Sequence, residues 1–312
     1  MTGPSTPGAD VFRLRLPATS ANLGSGFDAA AVALDFFLEI EAQAATEFAI
    51  AATGRDAARC ALLEDNLILE TYKQALRDSA RPVTPLAIRI ANSIPLGMGC
   101  GSSAAARLAA IALAVHFGQL GWNSTRILEE ATALEGHPDN VSACWLGGFA
   151  AACLGRTVHV AQADPPVAWR AIVVLPAEPL ATSTARSVLP ATYPVADVVS
   201  NLQSVALLGL AFAQGRGDLL AAAMRDRIHQ PYRASMCPFM PPLLPLAGKH
   251  GILGTALSGA GPGVLVIVDS QENLAQASAA IRNALHGVAE PELILCSFLP
   301  VMSNQCAEWN GA

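Results

Sequence analysis

Apolar and polar residues alternate along Phe12–Leu16, a period of two that predicts a strand with one buried face, and the mainly apolar runs Ala31–Ala42 and Leu86–Ala91 are predicted as strands as well. Apolar positions at helical spacing predict a helix near Asn66–Ser79, and the Pro82 to Pro85 turn separates it from the strand that follows. Further helices are predicted at Ser102–Phe117, ended by Gly118, and at Ser124–Glu135, opened by the Ser124 N-cap oxygen. Strands Phe149–Leu154 and Thr157–Ala163 read as a hairpin around Gly155-Arg156, and the Ala163-Asp164-Pro165-Pro166 break marks the expected domain boundary. Beyond it come a strand at Trp169–Leu175, mainly helices from Val195 to Lys249, and a strand–helix–strand unit at Gly263–Val268, Glu272–His286 and Leu293–Phe298. Strands paired with helices in both halves predict an α+β protein of two domains, residues 11–165 and 166–312, with a cleft between them.

The strand at Leu86–Ala91 leads into Pro95-Leu96-Gly97-Met98-Gly99-Cys100-Gly101-Ser102-Ser103-Ala104-Ala105, where glycines alternate up to a serine pair and an alanine-rich helix begins. Glycines at alternate positions open backbone angles closed to other residues and bare their N–H groups, which the following helix start presents to an anion. The spacing matches neither a Walker loop nor a dinucleotide fingerprint. Taken alone, the loop is an anion cradle or an ordinary strand-to-helix turn.

Three more segments bear on that choice: Leu16-Pro17-Ala18-Thr19-Ser20-Ala21-Asn22-Leu23-Gly24-Ser25-Gly26-Phe27-Asp28, Leu134-Glu135-Gly136-His137-Pro138-Asp139-Asn140, and Leu257-Ser258-Gly259-Ala260-Gly261-Pro262-Gly263. Taken in chain order the four resemble the GHMP kinase superfamily, and the segments from Leu16 to Asp28 and from Leu134 to Asn140 resemble its homoserine kinase family. The resemblance runs from about Phe12 to near Phe298. It implies a ribosomal-protein-like N-terminal domain, a ferredoxin-like C-terminal domain, and a homodimer. It also implies ATP-dependent phosphorylation of the L-homoserine hydroxyl to O-phospho-L-homoserine in threonine biosynthesis.

By the same resemblance, the loop from Pro95 to Ala105 holds the ATP phosphates, Asn66 lies near adenine, and Ser103 and Glu135 hold Mg²⁺. Asn22, His137, Asp139 and Asn140 line the acceptor pocket. Asp139 and Asn140 orient the hydroxyl, and whether Asp139 must also act as a base stays open, because an alcohol proton can leave late in a loose transition state. An amino-acid acceptor needs forked arginine contacts for its carboxylate and a carboxylate for its ammonium. Arg186 in Thr182-Ser183-Thr184-Ala185-Arg186 and Arg233 in Asp226-Arg227-Ile228-His229-Gln230-Pro231-Tyr232-Arg233 match the former, and Asp28 the latter. Thr182 and Gly261 complete the expected acceptor site. A superfamily kinase acting on mevalonate or a sugar would give Asp28 no ammonium partner, and a nucleotide-binding regulator would not need Ser103, Glu135, Asp139 and Asn140. Cys100 stands where the superfamily loop usually carries Leu, and Gly263 where Ser or Thr is common.

Composition narrows the classes further. The chain has 312 residues, 52% hydrophobic and 14% charged, enough to bury a sizeable core. A net charge of −6 without a basic block disfavours a nucleic-acid partner. No apolar stretch long enough to cross a bilayer is expected, the best candidate being interrupted by Arg107 and His116. Residues 1–10 lack the basic and apolar regions of a signal peptide and read as a disordered tail. Seven cysteines without a C-x-x-C pair point to reduced thiols in the cytoplasm, with His137 and Asp139 too isolated to predict a transition-metal site.

Overall fold

The computed structural model describes residues 11–302, so the expected tail at residues 1–10 lies outside the described residues. The first half runs β1 (Phe12–Asn22), β2 (Gly26–Ala44), β3 (Ala49–Gly54), α1 (Ala57–Cys60), α2 (Leu67–Asp78), β4 (Leu86–Asn92) and α3 (Ser102–Gly118). It continues through α4 (Ser124–Glu135), α5 (Asp139–Leu146), β5 (Phe149–Leu154) and β6 (Val158–Ala163). These strands form one sheet in the order β3-β4-β2-β5-β6, with β1 also paired to β2. The 19-residue β2 joins two sub-sheets, pairing with β4 along Leu38–Ala44 and with β5 at Ala30–Val32. Its register with β1 shifts between Pro17 and Ala18, where proline has no N–H for the ladder. Helix α3 lies in the core, with Leu108, Ala109, Ile111 and Leu113 buried, and its alanines let α2 and β1 approach closely.

The second half runs β7 (Arg170–Leu175), α6 (Thr182–Ser187), α7 (Val195–Gln214), α8 (Leu220–Ala223), α9 (Gln230–Arg233), α10 (Met240–Leu243), β8 (Ile252–Leu257), β9 (Val264–Val268), α11 (Leu274–Ala284) and β10 (Glu292–Ser297). All four strands are antiparallel, in the order β10-β7-β9-β8. That order, with helices between the first two strands and between the last two, is the ferredoxin-like arrangement the resemblance implied. Pro231, Pro241 and Pro245 open new turns and break the expected helical stretch into short pieces.

Five features depart from the sequence expectation, the first being that α4 is capped by the Asn123 side chain, which accepts from Arg126 N, and not by Ser124. Strand β3 is largely exposed at the sheet edge and rich in alanine, so it carries no strong alternation. Strand β8 is buried along most of its length, and its Gly254 leaves room for Met224, whose Sδ lies 2.3 Å from where a Cβ would stand. Residues Asp139–Leu146, for which no element was expected, form helix α5 directly after Pro138. Finally, α7 is long and apolar enough to span a bilayer by length and composition, correcting the expectation that no such stretch exists. Its one charged residue, Asp197, pairs with Arg227 at 3.1 Å, and Asn201 bonds to the carbonyl of Ser25, which ties the helix to the rest of the protein.

Candidate active site

The four glycine-bearing segments converge where the two sheets meet. Gly97, Gly99 and Gly101 all take positive φ, of 71°, 78° and 73°, so the loop coils tightly into the start of α3. Two of them are required by close approach as well. A Cβ on Gly101 would lie 1.9 Å from Thr19 Oγ1, and one on Gly99 would lie 2.0 Å from the carbonyl of Ser258. The loop is thus clamped between the first and last segments. Thr19 N donates to the Cys100 carbonyl (3.1 Å), and Thr19 Oγ1 donates to Asn140 Oδ1 (2.6 Å). Ser258 Oγ lies 2.7 Å from the Gly99 carbonyl, and Gly259 N donates to the Ala21 carbonyl (3.0 Å).

On one side of the loop is an apolar cleft of about 320 Å³ lined by Leu38, Ile68, Ile90, Ile94, Leu96 and Leu180, with Gly97, Ser102 and Ser103 at its edge. On the other side is a polar cavity of about 80 Å³ that shares those three residues and reaches Asp28, Asp139, Arg186 and Arg233. Pro95 is buried behind the loop, Met98 packs toward the core, and Ala104 and Ala105 turn their methyls inward. The anion donors here are the backbone N–H groups at the α3 start.

At the loop's mouth, Ser103 Oγ donates to Glu135 Oε1 (2.6 Å), and Arg107 Nε forms an ion pair with the same oxygen at 2.6 Å. A hydroxyl and a carboxylate in contact beside a phosphate cradle are the hard-oxygen donor set that suits Mg²⁺. A second group, Asp28, His137 and Asp139, also brings potential ligand atoms within 4.8 Å of one another. Its imidazole nitrogen makes it the poorer fit for Mg²⁺.

Asp139 is 1% exposed. Its Oδ1 contacts His137 Nδ1 (2.6 Å) and accepts from Asn140 N (2.7 Å), while its Oδ2 is buried without a hydrogen-bond partner. Burial lowers the His137 pKa, but the hydrogen bond and charge of Asp139, with Asp28 and Glu135 beyond, outweigh it and raise the pKa above 6.5. Arg186 donates in a fork to Asp28, at 2.9 and 2.8 Å, and that bond raises its own pKa. Arg233 is almost wholly buried, and desolvation, followed by the charge of Arg186, lowers its pKa.

Several expected site residues have other duties. Asn22 Oδ1 accepts from Asp28 N (2.9 Å) and its Nδ2 donates to the Gly259 carbonyl (2.7 Å), so it ties the β1–β2 turn to the last segment. Asn66 lines the apolar cleft, yet it caps α2 through Oδ1 and donates Nδ2 to the carbonyls of Cys60 and Leu62, leaving no donor aimed at a base. Gly261 packs against Cys237 and Leu257, and Gly259 and Ala260 reach the cavity in its place. Thr182 is the first residue of α6, four residues before Arg186. Cys100 is 1% exposed and burial pushes its thiol up to about 12, which disfavours the reactive thiolate. One residue went unnoticed in the sequence: the Phe27 ring lies 5.4 Å from both the Arg186 and the Arg233 guanidinium carbons. Its only sequence signal is its place beside Asp28.

The chain resembles known proteins over most of its length. Residues 66–148 match the GHMP kinases N terminal domain and residues 210–287 the GHMP kinases C terminal domain. The homoserine kinase of Solibacter usitatus is 42% identical over 83% of this chain and 85% of its own length. That of Thermus thermophilus is 38% identical over 91% and 94% respectively. In fold, the crystal structure of homoserine kinase from Cytophaga hutchinsonii superposes with a TM-score of 0.79 at 23% identity, covering 96% of this chain and 98% of that one. At these identities, sustained over more than four fifths of each sequence, the chain belongs to the homoserine kinase family of the GHMP kinases.

Proposed function

We propose that this chain transfers the γ-phosphoryl group of ATP to the side-chain hydroxyl of L-homoserine, giving ADP and the O-phospho-L-homoserine used in threonine biosynthesis. The observation that carries this reading is Asp139 Oδ2, a buried acceptor without a partner on the wall of a cavity whose other walls bear the glycine loop and two arginines. An unsatisfied buried carboxylate oxygen costs about 1–3 kcal/mol or more, which a substrate hydroxyl would relieve. The apolar cleft suits a purine, held by surface burial and not by the Asn66 side chain.

Asp28 and Arg186 neutralise each other in a fork, and a zwitterionic acceptor offers each of them a replacement partner: ammonium to Asp28, carboxylate to Arg186 and Arg233. An alcohol with one charge or none would leave at least one of the three unmatched, which favours an amino acid over mevalonate or galactose. With the acceptor so held, Asp139 Oδ2 accepts the hydroxyl hydrogen bond and turns an oxygen lone pair toward the phosphoryl donor. The hydroxyl oxygen forms the new P–O bond as the bond to ADP breaks. Its proton passes to Asp139 or to the transferred phosphoryl, and a loose transition state does not require early removal. Ser103 and Glu135 are the residues that would hold Mg²⁺, which supplies neutralisation of charge on the β- and γ-phosphates when bound. The free thiols described at Cys60, Cys100, Cys144, Cys153, Cys237 and Cys296 support a reducing cytoplasmic setting.

Coupled ADP release with Mg·ATP tests the proposal, comparing L-homoserine with mevalonate, galactose and L-serine at matched concentrations. Selective turnover of L-homoserine is expected. Preference for another alcohol would keep the kinase and discard the amino-acid pocket.

A further inference from the structure

Arg233 donates to neutral acceptors: Nε to the Ala185 carbonyl (3.0 Å), and Nη1 to the ring Nδ1 of His229 (3.0 Å) and more weakly to the Gly259 carbonyl (3.4 Å). A guanidinium has only hydrogens to offer, so His229 Nδ1 must be unprotonated. On the far side of the ring, Nε2 lies 2.8 Å from the Gly24 carbonyl, which only accepts, so Nε2 must carry the hydrogen. One neutral tautomer satisfies both contacts. Burial lowers the His229 pKa, opposed by the charge of Asp226 and reinforced by that of Arg233, which keeps the ring neutral.

The ring is fixed from every side. Asp226, whose Oδ2 stands 3.5 Å from Nε2, accepts the backbone N–H groups of Ile228, His229 and Gln230 at 2.9, 3.0 and 2.6 Å. Phe27 stacks on the imidazole with centroids 5.1 Å apart and planes 22° apart. Gly24 has no room to retreat, since a Cβ there would lie 1.9 Å from the Met224 carbonyl, and Ser25 Oγ donates to the Ala223 carbonyl (2.6 Å).

We propose that His229 is a positioning residue for acceptor binding: its Nδ1 aims the Arg233 guanidinium into the cavity, and its Nε2–H ties that arginine to the β1–β2 turn, which leads into Asp28 of β2. The inference rests on reading Arg233 as a ligand of the acceptor carboxylate. Its consequence is that the groups reading the two ends of the amino acid belong to one rigid frame, although they come from opposite halves of the chain.

Kinetics and calorimetry on the full chain test this with His229→Asn and His229→Gln. The Asn Oδ1 occupies the place of Nδ1 and still accepts from Arg233, whereas the Gln amide reaches Gly24 and offers Arg233 no acceptor at that place. His229→Gln is expected to raise the homoserine KM roughly 10- to 100-fold, the loss of one hydrogen bond to a charged group. Its kcat and ATP KM should change by less than about threefold. His229→Asn should restore most of the homoserine affinity. Equal homoserine affinities for the two variants, or a loss confined to kcat, would overturn the proposal. Calorimetric binding of L-homoserine ranks the variants without turnover. Absence of ADP release by the unaltered chain would instead count against the proposed reaction, so the two failures are distinguishable.

Discussion

At the residue scale, the proposed reaction rests on Asp139 and the histidine that holds it. With Oδ1 bound twice and Oδ2 buried without a partner, the carboxylate has one oxygen for architecture and one that the proposed reaction gives to the acceptor hydroxyl. Asp139→Asn should therefore lower kcat by about 10²- to 10⁴-fold, the range for a group acting on a transferring proton, with a smaller effect on the homoserine KM. Steady-state kinetics with a melting control checks this; an unchanged kcat would remove Asp139 from the reaction. The raised pKa of His137 has a stability consequence of definite sign. Its pairing contributes fully below the unfolded imidazole value of 6.5 and fades as pH rises through the higher folded value. Denaturant unfolding of the protein and of His137→Asn should show a larger gap at pH 6 than at pH 9. Gaps of equal size would mean that the imidazolium contributes nothing.

At the scale of elements, the loop and the helices around it divide the work between backbone and side chain. Gly101 caps α3 in a left-handed conformation against Thr19. Gly101→Ala would strain the backbone and push Thr19 off Asn140, at a cost of about 1–3 kcal/mol in unfolding free energy and a raised ATP KM. Unchanged stability in a denaturant titration would contradict the packing described. Glu135, the last residue of α4, meets Ser103 at the start of α3, so Glu135→Gln keeps the shape and removes the charge. A higher Mg²⁺ concentration for half-maximal rate is expected. A normal Mg²⁺ titration would move the metal to Asp28 and Asp139. Helix α5 was illegible because its first residues are the site residues themselves, and a Pro-containing turn hides the helix that follows.

At the scale of the whole molecule, the halves are joined by more than the site. Arg55, just after β3, forks onto Glu292 of β10, which raises the arginine and lowers the carboxyl. Both side chains stay partly exposed, at 35% and 49%, so a double-mutant cycle should give no more than about 1 kcal/mol of coupling. A much larger value would mean that the pair governs how the halves sit together. The glycine-rich loop, the alanine-rich helix behind it and the order of the four segments were legible in the sequence. Left-handed backbone, helix propensity and bared N–H groups are local properties, carried by a few consecutive residues. The edge strand β3 and the buried strand β8 were not, because neither has one wet and one dry face to impose alternation. The duties of Asn22, Asn66 and Gly261 were likewise hidden, since each is set by a neighbour that only the folded chain supplies. Sequence alone determined the glycine loop, the helix it feeds and the order of the four segments, which carry the family resemblance and with it the expected charged groups. Tertiary structure decided which of those groups face the cavity and which hold others in place, because a hydrogen bond such as that from Asn22 to Gly259 joins residues 237 positions apart.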